Sequence, residues 1–188
     1  MELIILCILG TTAFGLFKLG KMERTNLSNI KNNGLKQTGY TNVALFGLDS
    51  RENDLGKGNR SDTIIIASLN NDTKEVKLVS IYRDTLLELD DGSYNKANSA
   101  YSFGGPEGAV SLINRNLDMN IEKYVTVNFN ALVDVIDAVG GLDLELTHDE
   151  VVHMNNYCVE TSKVTGKSYE KIEPEVDGTY HLNGCAWH

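Results

Sequence analysis

The sequence predicts an α/β fold, a mixed central sheet with helices packed on both faces. Two observations carry this. Short apolar runs with strand patterning are separated by amphipathic helical segments, and two consecutive runs flank a tight polar turn. Helical crossovers favour parallel neighbours, whereas the turn makes one pair antiparallel. At 188 residues, with 41% hydrophobic residues, 23% charged residues and 2 prolines, the chain suits one domain with a sizeable core plus a short appendage.

Leu3–Phe17 is apolar or small throughout and precedes Lys18, Lys21 and Arg24. Its length falls short of the roughly 17–25 residues that span a bilayer, and continuing through Lys18 and Leu19 gives a marginal span. No basic residue precedes it and Glu2 is acidic, so the positive-inside rule does not support a cytoplasmic N-terminus. The charged start and cleavage site of a secretory signal are missing. Residues 1–20 are therefore expected to be a transmembrane anchor, 21–41 a polar linker and 42–188 the folded domain. Cys7 lacks a lipobox and reads as a small apolar residue.

Val43–Gly47 is a short apolar strand, followed by the charged, glycine-bearing loop 52–59. Thr63–Leu69 and Val76–Ile81 flank the turn sequence Asn70-Asn71-Asp72-Thr73-Lys74 and form the antiparallel hairpin. Gly104-Gly105-Pro106-Glu107 starts a helix, with Pro in first position and Glu in the first turn. Its apolar face is Ala109, Val110, Leu112, Ile113 and Leu117. Tyr124–Val127 is a brief strand. Phe129, Leu132, Val133, Ile136 and Val139 then repeat at helical spacing, closed by Gly140-Gly141, and Leu142–Leu146 alternates as another strand.

Beside the first apolar runs lie three charged clusters: Asp49-Ser50-Arg51, Arg60-Ser61-Asp62 and Tyr82-Arg83-Asp84. Isolated surface ion pairs are common and contribute little. Mixed Arg and Asp at three strand ends instead point to a built site for a phosphorylated ligand held with a divalent cation. Residues two apart on a strand share a face, so Asp49 would pair with Arg51 and Arg60 with Asp62. Asp49 and Asp62 are the candidate metal ligands, for Mg²⁺, which takes one or two carboxylates and completes its shell with water and phosphate. Arg51, Arg60 and Arg83 are the candidate substrate ligands, because a planar guanidinium grips two phosphate oxygens at once. Arg60 and Arg83, with Asp84, form the candidate catalytic set; Asp84 is read as orienting an arginine. Lys96, in the run 94–98, adds positive charge to the substrate set or is simply an exposed loop lysine.

Other chemistries are unsupported. His148 and His153 stand five apart, not the four of a zinc-protease helix. Gly104-Gly105-Pro106 lacks the lysine of a nucleotide P-loop, and Ser61 and Ser80 have no histidine at triad spacing. Tyr82, Tyr94 and Tyr101 read as core or groove wall rather than a stacking platform. Cys158 and Cys185 match no zinc or redox spacing; they pair as a disulfide or remain two thiols. A net charge of -9 argues against general nucleic-acid binding, although a local arginine cluster still admits an anionic ligand.

The segments GLDSR, GNRSDT, VSIYRDT, YNKANSAYSFGGPEGAV, VNFNALVDVIDAVGGLDLEL and YHLNG, in this order from about Tyr40 to Gly184, resemble the LytR-CpsA-Psr family of cell-wall enzymes. The resemblance implies a single-pass membrane protein whose α-β-α sandwich faces the extracytoplasmic side. It implies phosphotransfer of a polyprenyl-pyrophosphate-linked glycan, teichoic acid or capsule polymer, to a muramic acid hydroxyl of peptidoglycan, with Mg²⁺. Asp49 and Asp62 match the family's metal carboxylates, and Arg60 and Arg83 its pyrophosphate arginines; apolar faces would line a groove for the lipid tail. Tyr82 stands where proline is more usual. Residues 185–188 depart from the family's continuation into a helix and further arginines, so a C-terminally truncated member with impaired activity is expected. The alternatives are a catalytically inactive polyprenyl-phosphate-binding module, or hydrolysis of the same lipid with water as acceptor.

Overall fold

The computed structural model describes residues 30–31, 37–50, 55–165 and 171–182, without the side chains of 160–165. The expected anchor, most of the linker, Arg51, Cys7 and Cys185 lie outside the described residues. Among the described residues, no helix is long and apolar enough to cross a membrane.

The chain is an α/β domain on a mixed four-stranded sheet. β1 (Tyr40–Leu48), β2 (Ser61–Asn70), β3 (Val76–Ser80) and β6 (Lys123–Val127) lie in the order β3-β2-β1-β6. β1 pairs antiparallel with β2 and parallel with β6, while β2 and β3 form the antiparallel hairpin predicted from its turn. Asn70 Oδ1 accepts from the backbone N–H groups of Asp72 and Thr73, which is why that turn is legible locally. Two small antiparallel pairs flank the sheet: β4 (Leu86–Glu88) with β5 (Tyr94–Lys96), and β7 (Leu142–Leu146) with β8 (Gly178–Leu182). β7 thus pairs outside the central sheet.

One face of the sheet is dry. Ala44, Phe46 and Leu48 on β1 alternate inward beside Ile64 and Ile66 on β2. Helix α1 (Ser99–Asn116) covers them with Ala100, Tyr101, Ala109, Val110, Leu112 and Ile113. The ring of Tyr101 meets Phe46 edge-on at 5.4 Å, and its hydroxyl donates to Leu55 O at 2.9 Å. The other face carries Val43, Leu45, Ile65, Ala67 and Leu69, only half-buried, and the exposed Val76, Leu78 and Val125.

The helix predicted from Pro106 is present, but a preceding helical segment begins at Ser99. The two join at Gly105, whose φ of 65° and ψ of -157° break the helix in a region open essentially to glycine. Gly108 then packs so closely that a Cβ there would stand 2.9 Å from Ala100 O. Leu117 lies at the helix end and is exposed.

α2 (Phe129–Ala138) starts where expected, capped by Asn128, whose side chain accepts from Ala131 N at 2.9 Å. Of its predicted apolar face only Ile136 is buried; Phe129, Leu132 and Val139 remain exposed among the described residues.

α3 (His148–Thr165) is not predicted by the sequence pattern, because its buried stripe of Val151, Asn155 and Cys158 is narrow and partly polar. A reciprocal cap starts it: Thr147 N donates to Glu150 Oε2 at 2.9 Å, and Glu150 N to Thr147 Oγ1 at 3.4 Å.

Three helical asparagines each grip both backbone polar groups of one residue elsewhere. Asn114 accepts from Ile121 N and donates to Ile121 O, at 2.8 and 3.0 Å. Asn116 does the same with Glu88, at 3.0 Å in both directions. Asn155 repeats it with Ile172, at 2.9 and 3.1 Å.

Candidate active site

The charged clusters meet because strand ends meet. The end of β1 lies beside the start of β2, with Leu48 opposite Ser61, and Ile81 N donates to Ile64 O at 2.9 Å. Asp49, Arg60, Asp62, Arg83 and Asp84 therefore share one end of the sheet.

A bulge aims Asp62. Gly47 faces Thr63 and Leu48 faces Ser61, so Asp62 is the extra residue on β2. Simple alternation would turn Asp62 toward Ile64 and the dry core; with the bulge, Asp62 and Thr63 are both exposed and Ser61 is buried. Gly47 makes room for this, since a Cβ at that position would lie 3.0 Å from Thr63 Cβ. Ser61 Oγ finds no hydrogen-bond partner among the described residues.

Asp62 does not pair with Arg60. Asp62 Oδ1 instead accepts from Arg83 Nη1 at 2.9 Å, Arg83 Nε lies 3.6 Å from Asp84 Oδ2, and Lys96 Nζ meets Asp84 Oδ1 at 2.5 Å. This is one alternating chain, Asp62–Arg83–Asp84–Lys96. Arg60 and Asp49 are exposed and make no ion pair with a described residue. The backbone fixes the turn that carries Arg83, since Thr85 N donates to Tyr82 O, Asn98 N to Arg83 O and Ala97 N to Thr85 O. A cavity of about 370 Å³ opens here, lined among others by Asp62, Ser80, Tyr82, Arg83 and Asp84. Tyr82 walls it, Tyr101 is core and Tyr94 stands outside it.

The hydrogen bond that Arg83 donates to Asp62, and then the charge of Asp62, raises Arg83 above its already high ordinary value, so its guanidinium stays charged. Lys96 holds the Asp84 carboxyl below its usual value, first by its hydrogen bond; desolvation opposes this. Because the folded value lies below the unfolded one, the stability Asp84 adds is present above the unfolded pKa. It is lost as pH falls through the folded value. Replacing Lys96 with Ala is expected to move the Asp84 midpoint upward in a carboxyl NMR titration; an unmoved midpoint would show that Lys96 does not set it.

Among the described residues of the cluster, the three carboxylates Asp49, Asp62 and Asp84 balance the three cations Arg60, Arg83 and Lys96. A neutral cluster alone binds a diphosphate poorly. A divalent ion on Asp49 and Asp62 would change that, and two carboxylates with phosphate and water suit Mg²⁺. Among the described residues there is no group of three or more His, Cys, Asp or Glu that could hold a metal ion.

The site is thus an arginine–carboxylate chain at one end of a mixed α/β sheet, beside an open apolar face. The chain belongs to the LytR_cpsA_psr family, whose model matches residues 15–186. It is 34% identical over 165 residues to the polyisoprenyl-teichoic acid–peptidoglycan teichoic acid transferase TagV of Bacillus subtilis, covering 79% of this chain and 42% of that protein. With the TagU transferase of Bacillus cereus strain AH820 it shares 40% identity over 112 residues, 57% of this chain and 36% of the relative. The chain thus spans about two-fifths of these relatives. The crystal structure of B. subtilis TagV superposes with a TM-score of 0.56 at 30% identity, covering 80% of this chain and 54% of that one. The family protein YwtF (TagT) with bound octaprenyl pyrophosphate lipid shares the fold, with a TM-score of 0.62 at 23% identity over 86% of this chain and 62% of that one.

Proposed function

We propose that this chain is a phosphotransferase that moves a glycopolymer of teichoic acid or capsule type from a polyprenyl pyrophosphate carrier to a muramic acid hydroxyl of peptidoglycan. One observation carries the reading: the Asp62–Arg83–Asp84–Lys96 chain sits where the sheet's open apolar face begins. A charged head and an apolar tail would find both chemistries on one surface. Thr63, Ile65, Ala67 and Leu69 alternate along that face, and their span of about 20 Å suits an extended lipid tail. The relatives' named activity and the lipid held by TagT support the same reading.

Arg83 would bind non-bridging phosphate oxygens and Arg60 would add a second guanidinium, with Lys96 and Arg51 as further cations. Arginines so placed supply roughly 10³–10⁵ in phosphoryl-transfer rate in well-studied cases. Asp84, held ionised by Lys96, orients Arg83 and is a poor proton acceptor. Mg²⁺ on Asp49 and Asp62 would supply charge neutralisation at the diphosphate. The expected anchor, residues 1–20, would tether the domain outside the cell membrane, next to its lipid substrate.

The test is turnover of a lipid-linked glycan with Mg²⁺, with and without a muropeptide acceptor. Glycan joined to muropeptide, with release of polyprenyl phosphate, is the expected result. Lipid retention without turnover would favour the inactive binding module, and phosphorylated glycan released without acceptor would favour hydrolysis. No affinity for polyprenyl pyrophosphate would overturn the reading altogether.

A further inference from the structure

We propose that the outer face of the β4–β5 hairpin is a saccharide subsite that seats the acceptor glycan, with Tyr94 as its stacking platform. The inference rests on the reading above and names where the second substrate lies.

Register settles which side chains share this face. Leu86 stands opposite Lys96 and Leu87 opposite Asn95. Leu87 packs on the core, so Leu86 and Glu88, with Lys96 and Tyr94 opposite them, point the other way, and Glu88 pairs with Arg115 at 3.2 Å. On this face Tyr94 is 64% exposed and Leu86 67%, an adjoining pair of bare apolar side chains that an occupant would cover. The Asp84–Lys96 contact joins this face to the cavity at Arg83, so the two surfaces are continuous.

The chemistry selects the occupant. A lipid would avoid a surface on which charged Lys96 and Asp84 alternate with Leu86 and Tyr94. A pyranose matches it: the ring's C–H face stacks on an aromatic plane while its hydroxyls take hydrogen bonds from flanking charged groups. Position selects the acceptor over the donor. Attacking and leaving oxygens lie roughly in line in phosphoryl transfer. With the lipid on the apolar face beside Thr63, the leaving phosphate lies on that side, and the hairpin lies beyond Asp84 on the other. The strand rises about 7 Å from Lys96 to Tyr94, room for one sugar ring.

The experiment measures binding of a soluble disaccharide–peptide fragment of peptidoglycan to the full chain, and separately binding of polyprenyl pyrophosphate with and without glycan. Tyr94→Ala is expected to weaken the fragment at least tenfold, Tyr94→Phe less than twofold, with the bare lipid pyrophosphate unaffected. Leu86→Ala serves as a second variant should the first fail to fold. Unchanged fragment affinity in the folded variants overturns the assignment. So does a loss confined to the lipid-linked glycan, which would give the face to the donor. Because the fragment is titrated without lipid, this result stands whether or not the wild-type chain binds polyprenyl pyrophosphate.

Discussion

Replacing Arg83 with lysine is expected to cut phosphotransfer by about 10³-fold or more, nearly as far as replacing it with alanine. Arg83 is held at two points, Nη1 on Asp62 at 2.9 Å and Nε near Asp84 at 3.6 Å. Those contacts fix the guanidinium plane and leave Nη2 for an outside acceptor. Lysine supplies charge without a plane; it can satisfy one carboxylate or the phosphate, not hold a fixed geometry between them. The loss should fall chiefly on kcat, with a smaller rise in KM for the lipid donor. The melting temperature should stay near that of the parent, because the side chain is half-exposed and exposed ion pairs add little stability. A lysine variant with full activity would remove Arg83 from the catalytic role.

The second large effect is on stability. Asn114→Ala should destabilise the domain by roughly 2–5 kcal/mol, because the backbone N–H and C=O of Ile121 would both be left unpaired in a buried site. Asn114 and Ile121 are fully buried, so water cannot replace the lost amide without opening the core. Asn114→Asp should also fail, since a carboxylate offers no donor to Ile121 O. Urea unfolding reads this as a lower midpoint at unchanged slope. A midpoint like the parent's would mean that the contact with Ile121 is dispensable.

Most of the central sheet was legible because its signals are local. Thr63–Leu69 and Val76–Ile81 lie on either side of a turn whose asparagine supplies its own hydrogen bonds. The pairing of β4 with β5 and β7 with β8 left no such trace; these strands are short and their partners are fixed by packing. α3 hid because a buried asparagine and cysteine stand in for the expected apolar stripe. The motif Thr147-His-Asp-Glu150 could have revealed its start, since a threonine three residues before a glutamate is a capping signal. The site was legible as composition and not as pairing. Asp62 and Arg60 are neighbours in sequence, yet the bulge at Gly47 and the β2–β3 register bring Asp62 to Arg83, and neither can be counted off the chain.

The asparagine clamps bear on which parts of the chain can change length over evolution. Surface connections usually accept inserted residues with little penalty. Here the segments holding Glu88, Ile121 and Ile172 are bolted by both backbone groups to a helix, so added residues would break a fixed span. Length polymorphism among close homologues should therefore gather at the β2–β3 turn and avoid these three connections.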